Sequence, residues 1–271
     1  MSTDTAVGTD PDRQSPVDST AALTVHTRRG DRVIGLRELV TPVVCALALA
    51  ALYLNVSGRD LDRIEQNVLN RQTLTGATVE HFSVSVTIAI LVLLIAVPLG
   101  VLVTRRRTRW LAPFVISVGN VGQSAPSLGL LALVGFYYIG FWSVVLILTG
   151  YTSLSVLRNT IVGLQRVDPG VLDAARGMGM SPAAVLFRVE LPLAVPVIGA
   201  GARTALVLAV GTVPLGYALD AGGLGTPLFG AIKTNRPVAV FVVAAMIAIL
   251  ALLMDWAAGV LQRALTPRGI R

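Results

Sequence analysis

The sequence is poor in charged residues, in lysine and in cysteine. Charged residues make up only 14% of its 271 residues and hydrophobic residues 54%, which is too apolar for a soluble globular protein of this size. The single cysteine, Cys45, lies inside an apolar run, so an intramolecular disulfide framework is excluded. Lys233 is the one lysine among 22 basic residues, and the arginines flank apolar runs. This placement favours contact with membrane lipid over nucleic acid.

Clusters of residues that carry out chemistry are missing as well. The apolar runs contain neither the paired carboxylates nor the metal ligands that ion-coupled carriers usually have. No GxxxxGK sequence followed by Ser or Thr occurs, and the glycine-rich segment 220–225 lacks the lysine of a phosphate-binding loop. We therefore assign no catalytic residue, no metal ligand and no bound cofactor to this chain. Any ATP must be hydrolysed by another polypeptide.

Long apolar runs predict an all-α, polytopic membrane protein with about six transmembrane helices. The 48 uncharged residues between Arg109 and Arg158 fit two helices with a turn near Gly140, and Pro126 is expected to interrupt the first of them. Arg203 falls inside a run, where it needs a partner other than lipid. His81 is expected at a membrane boundary. The predicted spans are 39–56, 81–104, two within 110–163, 192–219 and 238–254.

The distribution of basic residues predicts the orientation. With six spans and a cytoplasmic amino terminus, fifteen basic residues lie inside and five outside, while Arg158 and Arg203 fall within spans. The positive-inside rule therefore predicts that both termini lie in the cytoplasm.

The same reading divides the chain into segments. Residues 1–37 are predicted to be a disordered cytoplasmic tail, because their composition cannot bury enough apolar surface. A first span with an external segment (38–80), a transmembrane domain (81–263) and a short cytoplasmic tail (264–271) follow. A cleaved signal peptide is the competing interpretation of the first apolar run, but the polar region ahead of it is long for one.

One polar segment, residues 167–192, interrupts the apolar runs between the fourth and fifth predicted spans. Asp168-Pro169 and Ser181-Pro182 each combine a helix N-cap with a proline in the first turn, so two short helices are predicted. Gly177 and Gly179 lie between them, where the chain must turn. We call residues 167–192 the coupling loop.

The spacing within this loop resembles that of ATP-binding-cassette (ABC) importer permeases. Asp173-Ala174-Ala175, Gly179, Val189 and Leu191-Pro192 match the family's pattern, with Asp in place of Glu and Val in place of Ile. The resemblance implies the ABC importer permease fold and a coupling helix that inserts into an ATPase subunit. Leu172, Ala175 and Met178 are the expected docking face. The residues implied in coupling are Asp168, Leu172, Asp173, Ala174, Ala175, Gly177, Met178, Gly179, Leu191 and Pro192.

The stretch NVGQSAPSLGLLAL, residues 120–133, is similar to a segment of glycine betaine and choline importer permeases. That resemblance implies a compatible solute, an extracytoplasmic binding protein, a second permease chain and ATPase subunits that bind ATP and Mg²⁺. Aromatic faces hold quaternary ammonium groups, although aromatic residues near span ends more often belong to the interfacial belt. The predicted translocation path contains Gln123, Ser124, Pro126, Tyr151 and Arg203.

Three other interpretations stay open at this point. The chain is also compatible with import of another small solute, such as an amino acid or an osmolyte-like thione. A secondary transporter would require ionisable residues deep in the spans or an inverted repeat, and Arg203 alone meets the first condition. A non-transporting membrane scaffold would use the coupling loop as its interaction surface.

Overall fold

The computed structural model describes residues 39–266, and helices account for most of that range. Proline residues and capping side chains separate the shorter helices. Two further helical segments are a π-helical turn (Leu186–Glu190) and a 3₁₀ segment (Val213–Leu219). The helices are α1 (Val40–Ser57), α2 (Arg63–Val68), α3 (Arg71–Thr104), α4 (Ala112–Ser124), α5 (Ser127–Gly135), α6 (Phe141–Gln165), α7 (Pro169–Gly177), α8 (Pro182–Val185), α9 (Leu191–Thr212), α10 (Gly225–Lys233) and α11 (Pro237–Leu265).

Five helical stretches in the described residues are long and apolar enough to cross a membrane. They are α1, α3, α6, the stretch Pro182–Leu219 that contains α9, and α11. The third predicted span is instead divided into α4 and α5, because Ala125 is extended before Pro126, as sterics next to a proline favour. The predicted interruption is thus present. The count of six spans stays a prediction.

Helix α6 forms the centre of the bundle. In the most apolar 18-residue stretch of α6, 50% of the residues are buried inside the protein, whereas the value for α1 is 6%. Its neighbours α3 and α9 approach closely because small residues face it. A Cβ added at Gly100 of α3 would lie 2.7 Å from Cβ of Thr160, and one at Gly201 of α9 would lie 2.7 Å from Cβ of Asn159. Such contacts let helix backbones pack tightly in a membrane.

The segment after α1 is more helical than predicted. Asp62 and Glu65 form a reciprocal capping box that starts α2. Asn70 then caps α3, which begins ten residues before the predicted start at His81. At 1.5 Å per residue, the 34 residues of α3 span about 51 Å, longer than the roughly 30 Å hydrocarbon core. Helix α3 is therefore longer than the hydrocarbon core requires.

His81 is fully buried within the protein. Its Nε2 lies 3.0 Å from the carbonyl oxygen of Val210 on α9. The backbone of Gly223 packs against it, since a Cβ at Gly223 would lie 2.6 Å from Cα of His81. The glycine-rich segment 220–225 therefore packs against α3.

The last helix is longer than predicted. Helix α11 continues to Leu265 and includes Asp255, which the sequence analysis placed after the final span. Helix α1 packs on α11 and buries Cys45. The predicted tails, residues 1–37 and most of 264–271, lie outside the described residues.

Candidate functional site: the coupling loop and the cleft beside α6

The first helix of the coupling loop, α7, is capped as the sequence predicts. The Asp168 carboxylate accepts a hydrogen bond from the backbone N–H of Gly170 at 2.7 Å, and Pro169 occupies the first turn. Gly177 is the last residue of α7, so the turn itself falls on Gly179, with φ of +82°. The backbone N–H of Met180 reaches back to the carbonyl of Ala175 at 3.2 Å, which closes the helix end.

The two faces of α7 differ sharply in exposure. Ala175 is only 2% exposed, as is Val185 of the adjoining α8, whereas Met178 is 76% exposed and Val171 44%. Leu172 is half-buried. Ala175 therefore belongs to the inner packing surface, whereas Val171 and Met178 provide the outer apolar surface.

The remaining predicted coupling residues divide between the surface of the loop and its base. Asp173 forms a surface ion pair with Arg176, with 2.9 Å between oxygen and nitrogen. Ala174, Gly177 and Gly179 are exposed. Leu191 and Pro192 are half-buried in the first turn of α9, because the loop's second helix continues through the π-helical turn into that helix. The loop therefore ends inside a continuous helix, without a second elbow.

A buried ion pair fastens the base of the loop to the rest of the bundle. Glu190 is only 5% exposed, and its carboxylate accepts two hydrogen bonds from the Arg105 guanidinium at the end of α3, at 3.1 and 2.5 Å. Two-point pairing of this kind fixes orientation as well as distance. Sequence reasoning did not single out Glu190. The sequence offered one indication of its role: Glu190 is a single carboxylate between apolar residues, and it is predicted to lie at the same membrane surface as the arginines 105–107.

A second ion pair lies within the bundle. Arg203 of α9 donates to both carboxylate oxygens of Asp255 on α11, at 2.9 and 2.6 Å. Nearby, the Gln262 amide donates to the carbonyl of Pro196 at 2.7 Å. The partner that the sequence required for Arg203 is therefore present, and this helix pair is joined at two levels.

The residues predicted to line a translocation path occupy two separate places. Tyr151 lines a cleft of about 600 Å³ between α4, α5 and α6. Gln123, Ser124 and Pro126 lie at the interruption between Gly122 and Leu130, which both line that cleft. Arg203 instead lines an apolar groove of about 440 Å³ between α3, α9 and α11. Tyr151 therefore lines the cleft itself, Gln123, Ser124 and Pro126 lie in the chain segment next to it, and Arg203 lines a different groove.

The end of the cleft nearer the coupling loop carries a polar contact that was not predicted from the sequence. Arg158 of α6 donates a hydrogen bond to the Asn120 side-chain oxygen of α4. Leu154 and Leu157 of α6 and Gly119 of α4 line the cleft directly beside this pair. In the sequence, Arg158 and Asn120 are two isolated polar residues 38 positions apart, and nothing there predicts that they meet.

Comparison with known protein families gives the loop and the cleft their context. Residues 96–267 match the family described as the binding-protein-dependent transport system inner membrane component. The chain belongs to this family of permeases. The match covers both α4–α6 and the whole coupling loop.

Curated relatives of the permease cover most of its length. It is 37% identical to a choline transport system permease protein of Bacillus subtilis (strain 168), over 72% of this chain and 89% of the relative. It is 36% identical to a carnitine transport permease protein of Listeria monocytogenes, over 74% and 92%. It is 35% identical to an osmoprotectant import permease protein of Salmonella typhimurium, over 78% and 100%.

A solved structure supports the fold independently. The permease superimposes on a chain of the MetNI methionine ABC transporter, in an inward-facing conformation, with a TM-score of 0.64 and 25% identity. The overlap covers 72% of this chain and 97% of that chain. The expected ABC importer permease fold is therefore confirmed. Among the described residues, no group of three or more His, Cys, Asp or Glu side chains is arranged to hold a metal ion.

Proposed function

We propose that this permease is the membrane subunit of an importer for a small compatible solute such as glycine betaine, choline or carnitine. The observation that carries the proposal is the construction of the coupling loop. Helix α7 is capped, exposes Val171 and Met178, and is joined through Glu190 to the start of a membrane-spanning helix. A separate ATPase, with ATP and Mg²⁺ bound to it, docks on this outer surface.

The contacts suggest how a push on α7 reaches the membrane. Its inner face packs on α8, which continues into α9, while Arg105 and Glu190 link that junction to α3. Further along, Arg203 and Asp255 link α9 to α11. Helices α3, α9 and α11 therefore move as one body with the loop. Rigid-body motion of this kind switches packed bundles between discrete arrangements.

The interrupted pair α4 and α5 lies on the other side of the cleft. A helix break at membrane depth is tolerated where the backbone faces protein or a water-filled path. We assign the cleft beside Tyr151 to the solute path, with a second permease chain closing it. Named relatives carry choline and carnitine, and an aromatic ring such as that of Tyr151 attracts quaternary ammonium groups. An extracytoplasmic binding protein delivers the solute.

The orientation follows the basic residues. Fifteen inside against five outside favours cytoplasmic termini and a cytoplasmic coupling loop in the inner membrane. The arginine run that ends α3 and the loop lie at one surface, since Arg105 pairs with Glu190. ATPase docking requires this surface to be cytoplasmic.

Two neighbouring glycines provide a matched test of coupling. Gly179 has φ of +82°, a conformation that valine rarely adopts, whereas a Cβ at Gly177 would meet nothing within 4 Å. We expect Gly179→Val to abolish uptake and solute-stimulated ATP hydrolysis by the reconstituted importer while membrane insertion persists. Gly177→Ala should retain both. Unchanged transport by Gly179→Val would refute the role of the loop.

A solute panel tests the substrate class. Labelled glycine betaine, choline and carnitine are offered to the reconstituted importer with and without its binding protein. Methionine is included because the solved structural neighbour is a methionine transporter. Uptake of methionine alone would replace the compatible-solute assignment with amino-acid import.

A further inference from the structure

Arg158 is a charged side chain on an exposed face of a membrane-spanning helix. It lies seven residues before Gln165, the end of α6, which corresponds to about 10 Å along the helix axis. Its recorded partner is the neutral amide oxygen of Asn120. An arginine inside a span is costly unless it faces the bundle interior or a water-filled cavity, so Arg158 marks a functional surface.

Two other arginines, at the end of α3 and within α9, have carboxylate partners. Arg105 pairs with Glu190 and Arg203 with Asp255. Within the described part of the chain, Arg158 has no carboxylate within ion-pair distance. Arg158 can therefore meet an anion that another molecule supplies.

The position of Arg158 identifies the molecule. Leu154 and Leu157, on the preceding turn of α6, line the proposed solute cleft, and so does Gly119 beside Asn120. Tyr151 lines the same cleft seven residues earlier, two helical turns towards the outside. Residues seven apart lie on nearly the same helix face, so Tyr151 and Arg158 border one continuous path.

We propose that Arg158, oriented by Asn120, receives the carboxylate of a zwitterionic solute at the cytoplasmic end of this cleft. Glycine betaine and carnitine each carry a carboxylate besides the quaternary ammonium group, whereas choline does not. The two charged ends of such a solute are closer together than the roughly 10 Å between the levels of Tyr151 and Arg158. A solute moving inward therefore meets the aromatic ring first and the guanidinium second. The inference rests on the proposed function and adds a selectivity step to it.

The test compares two solutes that differ mainly in the carboxylate. Uptake of glycine betaine and of choline is measured for the reconstituted importer carrying Arg158→Gln, Arg158→Lys or, as a control, Arg107→Gln at another exposed arginine. We expect Arg158→Gln to lower the betaine-to-choline uptake ratio at least tenfold, because a site built for a charged group discriminates strongly when that partner is removed. Arg158→Lys should keep most of the ratio, and the control all of it.

Parallel loss of both uptakes, or no change in either, would overturn the proposal. If the unaltered importer moves neither solute, the proposed function fails on its own, and a labelling experiment still decides the role of Arg158. Cys45 is the one native cysteine and is buried, so Ser153→Cys in a Cys45→Ala chain gives a single reactive thiol in the cleft lining while Arg158 stays in place. A carboxylated solute, betaine or methionine, should slow its labelling by a cationic methanethiosulfonate, whereas choline should not. Adding Arg158→Gln should abolish this protection.

Arg158→Cys in the Cys45→Ala chain tests the charge itself. Attachment of the cationic reagent restores the charge and should restore betaine uptake, whereas a neutral reagent of similar size should not. To separate a solute carboxylate from a lipid phosphate, the labelling of Ser153→Cys is run in phosphatidylcholine vesicles with and without phosphatidylglycerol. Labelling that responds to phosphatidylglycerol and ignores every carboxylated solute would assign Arg158 to lipid and refute the inference.

Discussion

The ion pair between Arg203 and Asp255 is the strongest test of how the bundle is held together. Both nitrogen–oxygen contacts are short, 2.9 and 2.6 Å. About a third of each side chain is exposed, but Arg203 lines an apolar groove together with Phe82 and Leu206. In a membrane, hydrocarbon and not water fills such a groove, so solvent does not screen the pair. We therefore expect its charges to depend strongly on each other.

The magnitude follows from the loss of one partner. Breaking a buried pair by removing one side costs about 3–5 kcal/mol, and an isolated arginine or aspartate at a helix centre costs about 2.5–3.5 kcal/mol. We expect Asp255→Leu or Arg203→Met alone to lower the free energy of unfolding by about 2–4 kcal/mol. The double variant should lose less than about 1 kcal/mol, because replacing both charges with apolar groups is often neutral.

The measurement is a double-mutant cycle on the purified permease, unfolded by sodium dodecyl sulfate in mixed micelles and followed by circular dichroism. Strictly additive losses in the double variant would refute the reasoning. Uptake gives a second reading. If the pair only fastens α9 to α11, the double variant transports at near wild-type rate. Lost uptake at unchanged stability would return Arg203 to the translocation path, where the sequence analysis placed it.

Two further contacts give predictions of their own. Glu190→Gln should lower the amount of solute taken up per ATP hydrolysed, because the loop then moves without carrying α3 through Arg105; an unchanged ratio would remove this link from the mechanism. Gly223→Ala should lower the free energy of unfolding by about 1–3 kcal/mol, because its Cβ would lie 2.6 Å from Cα of His81 and its φ is +51°. Gly230→Ala, whose Cβ would meet nothing within 4 Å, is the control in the same unfolding assay, and equal losses would contradict the assigned contact.

The local features of the coupling loop were predictable because they depend on neighbouring residues. The side-chain oxygens of Asp168 and Ser181 cap their helices by accepting hydrogen bonds from backbone N–H groups two or three residues later. The chain turns at Gly179 because positive φ favours glycine. The face that α7 turns inward was not predictable in this way. Val171, Leu172 and Ala175 are all apolar, and tertiary packing buries Ala175.

Helix boundaries followed the same division. The last span was predicted to end before Asp255, because a carboxylate is costly in lipid. The structure keeps Asp255 inside α11 because Arg203, 52 residues earlier, neutralises it. His81 is likewise buried against Val210 and Gly223, which lie far along the chain from it. In both cases a distant partner changed the energy of a polar residue.

The sequence by itself determined the class of protein, its apolar runs, the expected side of the loop and the family, because composition and short spacings are local properties of the chain. Tertiary structure alone decided which charges meet: Arg105 with Glu190, Arg203 with Asp255, and Arg158 with Asn120 and no carboxylate among the described residues. Coulomb energies depend on distance in space and on the medium between the charges. Neither the distance nor the medium can be read from the order of the residues.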